Sequence, residues 1–151
     1  MNQIAPLLPV SHILLDVEMG SKKGLFEYVG QLFGSHLGVV SRIIQDSLIS
    51  REKLGSTGLG QGIAIPHGRI KGLKSATGVL IRLNPAMDFD APDQIPVKLV
   101  FMLFVPMQAT DLHLQILGEL AQLFSNKILR DALLTSADSE SVYNLIRNWQ
   151  P

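Results

Sequence analysis

Residues 99 to 105 read Leu99-Val100-Phe101-Met102-Leu103-Phe104-Val105. This unbroken apolar run is too short to span a bilayer and has the length and the β-branched and aromatic content of a buried strand. A strand apolar at every position needs cover on both faces, which places it at the centre of a sheet packed between helices. The predicted strand runs from Val97 to Val105, with a second over Thr77 to Leu83 and a Pro- and Asp-rich turn region from Asn84 to Pro96 between them. A third short strand is expected at Ile13-Leu14-Leu15.

Helical spacing supplies the cover. Leu25, Tyr28, Val29, Leu32 and Phe33 recur at helical intervals after a start at Gly20-Ser21, with Gly34 to Gly38 as a frayed end. A second helix is expected from Ser41 as N-cap through Ile43, Ile44, Leu48 and Ile49, with Arg51 in its last turn and Gly55 as a left-handed terminator. Thr110 can cap a third helix carrying Leu114, Leu117, Leu120, Ala121 and Phe124, and Ile128–Leu134 and Val142–Trp149 follow as two more. The reading is an α/β fold, a mixed β-sheet flanked by helices on both faces.

A chain of 151 residues, 46% of them hydrophobic, can bury one core without staples, so a single domain over residues 1–151 is expected. Thirteen Lys plus Arg balance thirteen Asp plus Glu, and the basic residues are scattered, which argues against nucleic-acid binding. The absence of Cys excludes disulfides and thiolate chemistry. The first residues lack a positive stretch, and Pro6 and Pro9 interrupt their apolar run, so a cytoplasmic location without membrane insertion is expected. The methionines, Met102 and Met107 among them, read as core filler or contact surface.

The unusual composition lies between residues 51 and 69. Gly55, Gly58, Gly60 and Gly62 fall within eight residues, and Ile63-Ala64-Ile65 then ends at Pro66-His67-Gly68. This reads as a flexible loop feeding a short strand, with His67 just beyond the strand end, held by proline yet reachable. Glycine-rich loops and strand ends are where α/β scaffolds present reactive groups, and bare backbone N–H groups can cradle an anion. The imidazole here could be a nucleophile, a base or a ligand.

Metal binding is the weakest of these, since there is no Cys and no H-E-x-x-H pair, and His12 and His36 are isolated. A hydrolase lacks a G-x-S-x-G motif, and no Gly-Lys-Ser/Thr follows the glycines, so a Walker-type phosphate loop is absent. A neutral imidazole is a good phosphoryl acceptor at neutral pH. Its product carries nearly two negative charges and needs donors with few carboxylates nearby. Arg51, Ser56, Thr57, Arg69 and the glycine backbone are donors, and Glu52 is the only acid in the segment.

The run Leu54-Gly55-Ser56-Thr57-Gly58-Leu59-Gly60-Gln61-Gly62-Ile63-Ala64-Ile65-Pro66-His67-Gly68 resembles the signature around the phosphorylated histidine of fructose/mannitol-type IIA components of the sugar phosphotransferase system. The resemblance extends over nearly the whole chain. Asp111-Leu112-His113-Leu114 matches that family's second active-site histidine, and Arg51 its arginine at the end of the preceding helix. Gln61 departs from the pattern, where many relatives show Asn. The resemblance implies the phosphotransferase/anion-transport-protein-like fold, phosphorylation of His67 on Nε2 by the phosphohistidine of an HPr-like phosphocarrier protein, and no cofactor. It further implies that His113 lies beside His67, that Arg51 pairs with the phosphate, and that Ser56 and Thr57 help to bind it.

The Pro66-His67-Gly68-Arg69 ending and the free-standing length resemble the nitrogen-related branch, which implies regulatory targets such as sensor kinases or potassium transporters instead of a sugar permease. A sugar-transport IIA component and a binding-only regulatory module are the alternative readings. Arg69 reads otherwise as a solvated charge, and His113 as a first-turn helix residue. Leu59 and Ile63 are expected to form an apolar docking rim around His67.

Overall fold

The computed structural model describes residues 2–109 and 111–151. Two short 3-10 turns, Ala5–Leu7 and Val10–His12, precede β1 (Ile13–Val17), α1 (Lys22–Leu37) and α2 (Ser41–Lys53). Then come β2 (Gly58–Gly60), β3 (Ile63–Ala64), β4 (His67–Ile70), β5 (Thr77–Met87) and β6 (Val97–Pro106). Helices α3 (Asp111–Phe124), α4 (Lys127–Thr135) and α5 (Ser139–Asn148) complete the chain.

The apolar run forms most of β6 and lies inside a six-stranded sheet of order β1-β5-β6-β3-β2, with β4 also paired to β6. The sheet is mixed: β5 and β6 are antiparallel, whereas β1 pairs with β5, and β3 and β4 with β6, in parallel. Alternate β6 residues face opposite layers. Leu99, Phe101, Leu103 and Val105 pack with Ile116, Leu120, Leu133 and Ile146 of α3, α4 and α5. Val100, Met102 and Phe104 pack with Leu25, Phe26, Val29, Ile44 and Leu48 of α1 and α2. Both faces are therefore covered, which is why the run Leu99–Val105 needs no polar residues.

Ser21 caps α1 by accepting from the Gly24 N–H at 3.0 Å. The helix runs on through the expected frayed end, because Gly38 at φ 73° supplies the left-handed turn that stops it. Ser41 is the first residue of α2, not its cap; Val40 holds the cap position without a side-chain bond. Gly55 takes φ 151°, far from the left-handed helical value expected, and α2 ends at Leu54 in a right-handed conformation. The cap expected at Thr110 lies outside the described residues. The expected turn region begins late, since β5 continues to Met87 and re-pairs with Val97 after a register shift.

Arg82 of β5 joins two layers. It is 5% exposed, forms a two-pronged pair with Asp16 at 3.0 and 3.1 Å, and donates to the carbonyls of Leu133 and Ser136 at the end of α4. Those carbonyls have no intrahelical donor, so the guanidinium serves as the helix's C-terminal cap. Among the described residues, no helix is long and apolar enough to cross a membrane.

Candidate functional site

The expected flexible loop is an ordered hairpin. Strands β2 and β3 pair antiparallel, and the turn between them places Gln61 at φ 59° and Gly62 at φ 79°. Positive φ at both central turn residues matches the twist of a two-residue hairpin. Asp93 reinforces the turn by accepting from the Gln61 N–H at 2.8 Å. Strand β3 then pairs with Leu99 and Val100 of β6, Pro66 interrupts it, and β4 resumes along β6 with His67 opposite Leu103. His67 is thus the first residue of a strand, where the sequence pointed to a position beyond a strand end.

This location fixes the imidazole. Nδ1–H donates to the Ile65 carbonyl at 2.9 Å, since a carbonyl can only accept, and that sets the tautomer with the lone pair on Nε2. Arg51 Nε–H donates to Nε2 at 3.2 Å, and Arg51 Nη1 anchors to the Gly55 carbonyl at 2.8 Å. The arginine comes from the last turn of α2, which packs against β4. Gly68 permits that packing: a methyl group there would overlap Ser47 Oγ, which donates to the Arg69 carbonyl at 2.9 Å. Burial, opposed by the Ile65 carbonyl and reinforced by Arg51, holds the His67 pKa below its ordinary value. The neutral ring is the favoured form.

His113, in the first turn of α3, meets His67 edge to face with ring centroids 5.2 Å apart and an interplanar angle of 77°. Burial, then the neighbouring His67 and Arg69, lowers its pKa as well. Arg69 is exposed, as a solvated charge would be, but it also makes specific bonds. Its Nη1 donates to the carbonyls of Met107, at 3.0 Å, and Ala109, so it grips the segment leading from β6 into α3 and to His113. Sequence reasoning missed this role because residues 69 and 107–109 meet only through the pairing of β4 with β6.

Ser56 and Thr57 are directed elsewhere. Ser56 Oγ donates to the Phe89 carbonyl at 2.6 Å and accepts from the Gly58 N–H. Thr57, 5% exposed, gives its hydroxyl and its N–H to the two carboxylate oxygens of Glu52 at 2.7 and 3.1 Å. Glu52 also pairs with Lys22 at 3.1 Å, and Lys22 with Asp90 at 3.0 Å. The one acid of the segment is neutralised in place while bracing the loop. Ile63 is 2% exposed and belongs to the core, so it is not part of the expected rim; Leu59 is 42% exposed. The exposed apolar side chains next to His113 are Leu112 and Leu114, with Met107 on the preceding segment.

The site therefore presents a neutral nucleophilic nitrogen facing a guanidinium, with a second imidazole beside it and the nearest carboxylate already paired. Among the described residues there is no group of three or more His, Cys, Asp or Glu that could hold a metal ion.

Comparison with known proteins gives concordant results. The family described as "Phosphoenolpyruvate-dependent sugar phosphotransferase system, EIIA 2" matches residues 6–149. The chain is 37% identical over 147 residues to a nitrogen regulatory protein of Pseudomonas aeruginosa, covering 97% of this chain and 96% of that one. It is 32% identical over 146 residues to a fructose-specific EIIA component of Haloferax volcanii, covering 96% and 95% of the two chains. The crystal structure of nitrogen regulatory protein IIA-Ntr from Neisseria meningitidis superposes with a TM-score of 0.89 at 49% identity, over 94% of this chain and 97% of that chain.

Proposed function

We propose, starting from a chain that belongs to the phosphoenolpyruvate-dependent sugar phosphotransferase system EIIA 2 family, that His67 Nε2 takes a phosphoryl group from the phosphohistidine of an HPr-like carrier protein. The observation that carries this reading is the pair of bonds on the His67 ring, Nδ1–H to the Ile65 carbonyl and Nε2 to Arg51. They leave the lone pair on the nitrogen that faces a phosphate-binding cation.

In the transfer, Nε2 attacks phosphorus in line, the P–N bond to the donor imidazole breaks, and its electron pair returns to the donor nitrogen. Nδ1 keeps its proton, hydrogen-bonded to the Ile65 carbonyl, so no proton need leave the ring during the step. Arg51 moves from Nε2 to the phosphoryl oxygens, and His113 donates a hydrogen bond to them. Such a transfer needs positioning and charge stabilisation more than acid–base chemistry. Loop support is the role that fits the hydroxyls of Ser56 and Thr57, because contact with the phosphoryl group would require each to leave its present partner.

The phosphorylation state then regulates nitrogen- or potassium-related partners, a reading supported by the likeness to nitrogen regulatory proteins. Leu59, Met107, Leu112 and Leu114 offer an exposed apolar surface on the site's own segments. Two negative charges placed beside it would change which partners can desolvate it. Passing the phosphate to a fructose- or mannitol-type IIB domain is the second reading, favoured by the likeness to the Haloferax protein.

The test is incubation with phosphoenolpyruvate, the first enzyme of the system and an HPr-like carrier. One acid-labile phosphate per chain is expected, absent in His67→Ala. Labelling that survives in His67→Ala would sink the assignment. Onward transfer from the labelled chain to a IIB domain would favour the transport reading over the regulatory one.

A further inference from the structure

His12 and His36 lie outside the site described above, and they are not isolated from each other. His12 closes the 3-10 turn before β1, is 3% exposed, and donates Nδ1–H to the Gly78 carbonyl at 2.9 Å. That bond leaves the lone pair on Nε2. Among the described residues, this Nε2 is the one buried side-chain nitrogen or oxygen without a hydrogen-bond partner. A buried acceptor in that condition bears an uncompensated desolvation cost, and such a group in a folded protein calls for an explanation. His36 supplies one. It stands exposed in the last turn of α1, with its ring centroid 5.5 Å from that of His12 at an interplanar angle of 78°. Both rings line a cavity of about 260 Å³, together with Ser11, Leu14, Leu32 and Phe33.

We propose that His12 Nε2 and His36 form a two-imidazole site for a divalent transition-metal ion of the imidazole-preferring class, such as Zn²⁺, Cu²⁺ or Ni²⁺. An ion bound at ~2.0–2.1 Å to one nitrogen of each ring holds the ring centres roughly 5 Å apart at a tetrahedral angle. The observed separation of 5.5 Å is close to that without any movement of the backbone. The bond from Nδ1–H to a carbonyl is the outer contact that ligating histidines commonly make, and it orients Nε2 as the ligand. Phe33 packs edge-on against the His12 ring at 4.9 Å and holds it in that orientation. His36 can turn because its ring is exposed. Imidazole nitrogen suits these ions better than Mg²⁺ or Ca²⁺, which prefer oxygen.

With no third His, Cys, Asp or Glu clustered there among the described residues, water fills the remaining positions. The ion is therefore exchangeable, unlike that of a closed four-ligand structural site. When bound, it ties the segment before β1 to the end of α1. The site is independent of the phosphotransfer reading, although His67 and His113 form a second imidazole pair at 5.2 Å that could compete.

The experiment is a Zn²⁺ titration of the full chain, followed by calorimetry and by the histidine ring NMR signals, with His36→Ala and His113→Ala run beside the wild type. His36→Ala removes an exposed ring and leaves the core intact. Expected are shifts of the His12 and His36 signals, a Zn²⁺-dependent rise in melting temperature, and at least about tenfold weaker binding in His36→Ala. His113→Ala should bind as wild type does at this site. Unchanged His12 and His36 signals, or binding kept in His36→Ala and lost in His113→Ala, would overturn the proposal.

Discussion

Arg51 and His67 meet atom to atom, the guanidinium Nε donating to the imidazole Nε2 at 3.2 Å, so the cation occupies the direction from which phosphorus would approach in the proposed transfer. The same contact has two effects: it adds to the burial that keeps the ring neutral in the resting site, and in the proposed transfer it holds the cation where the incoming charge would arrive. Arg51→Ala should slow phosphorylation by on the order of 10²-fold, the usual consequence of losing one donor to developing charge. It should also raise the His67 pKa, because Arg51 is one of the causes holding it down. Single-turnover transfer kinetics together with an NMR titration of the His67 ring checks both; wild-type kinetics would remove Arg51 from the mechanism. Arg51→Lys should recover only part of the rate, since an ammonium lacks the planar fork.

Burial lowers the pKa values of His12, His67 and His113 alike. The sign of the stability effect follows directly. Above the ordinary histidine pKa of about 6.5 the folded and unfolded chains both hold neutral rings, and these groups add no pH dependence. Below it the unfolded chain takes up protons that the folded chain resists, so stability should fall as pH drops through that range toward the lowered folded values. Phosphoryl acceptance should persist to lower pH than an ordinary imidazole would allow, since Nε2 must be unprotonated. Denaturant melts and transfer rates between about pH 5 and pH 8 test the pair of expectations; stability that increases on acidification through that window would contradict them.

Much of this architecture was legible because its signals were local. The apolar run Leu99–Val105 required cover on both faces, and the helical spacings supplied it; the mixed sheet with helices above and below is what formed. The segment around His67 was singled out by its glycines and its Pro66-His67-Gly68 ending. What escaped were contacts between distant residues. Arg82 reads in sequence as one polar residue inside a strand, yet it spans from Asp16 to the end of α4. Glu52 reads as an unwelcome acid, yet Lys22 and Thr57 neutralise and bind it. His12 and His36 read as isolated, because the fold that stacks them joins the segment before β1 to the end of α1. The hairpin reads in sequence as a flexible loop because glycines at positive φ give the same composition whether the turn is ordered or not.

Gln61 occupies a left-handed position that glutamine tolerates poorly and asparagine tolerates well. Gln61→Asn should therefore stabilise the chain by about 0.5 kcal/mol, a fraction of the cost of the left-handed conformation for an ordinary residue. For a domain of this size that corresponds to a rise of roughly 1–2 °C in melting temperature. Calorimetry on the pair decides it, and a lower melting temperature in Gln61→Asn would show that the side chain, not the backbone, matters at this turn.

Arg69 touches neither the nucleophile nor the phosphate in the proposed transfer, but its bonds to the carbonyls of Met107 and Ala109 hold the segment that delivers His113. It is a positioning residue, and its loss should differ in kind from the loss of His113 itself. In Arg69→Ala the His67 ring keeps its bonds to Ile65 and Arg51, so the nucleophile stays intact while His113 gains freedom. The pKa of His113 should rise, because Arg69 is one of the charges lowering it. Transfer should slow less than in His113→Ala, and Arg69→Lys should restore part of the rate by again donating to a carbonyl. The NMR signals of both histidines, read alongside single-turnover rates for the three variants, separate positioning from bulk destabilisation. A His113 ring whose titration is unchanged in Arg69→Ala would show that the clamp does not govern its place beside His67.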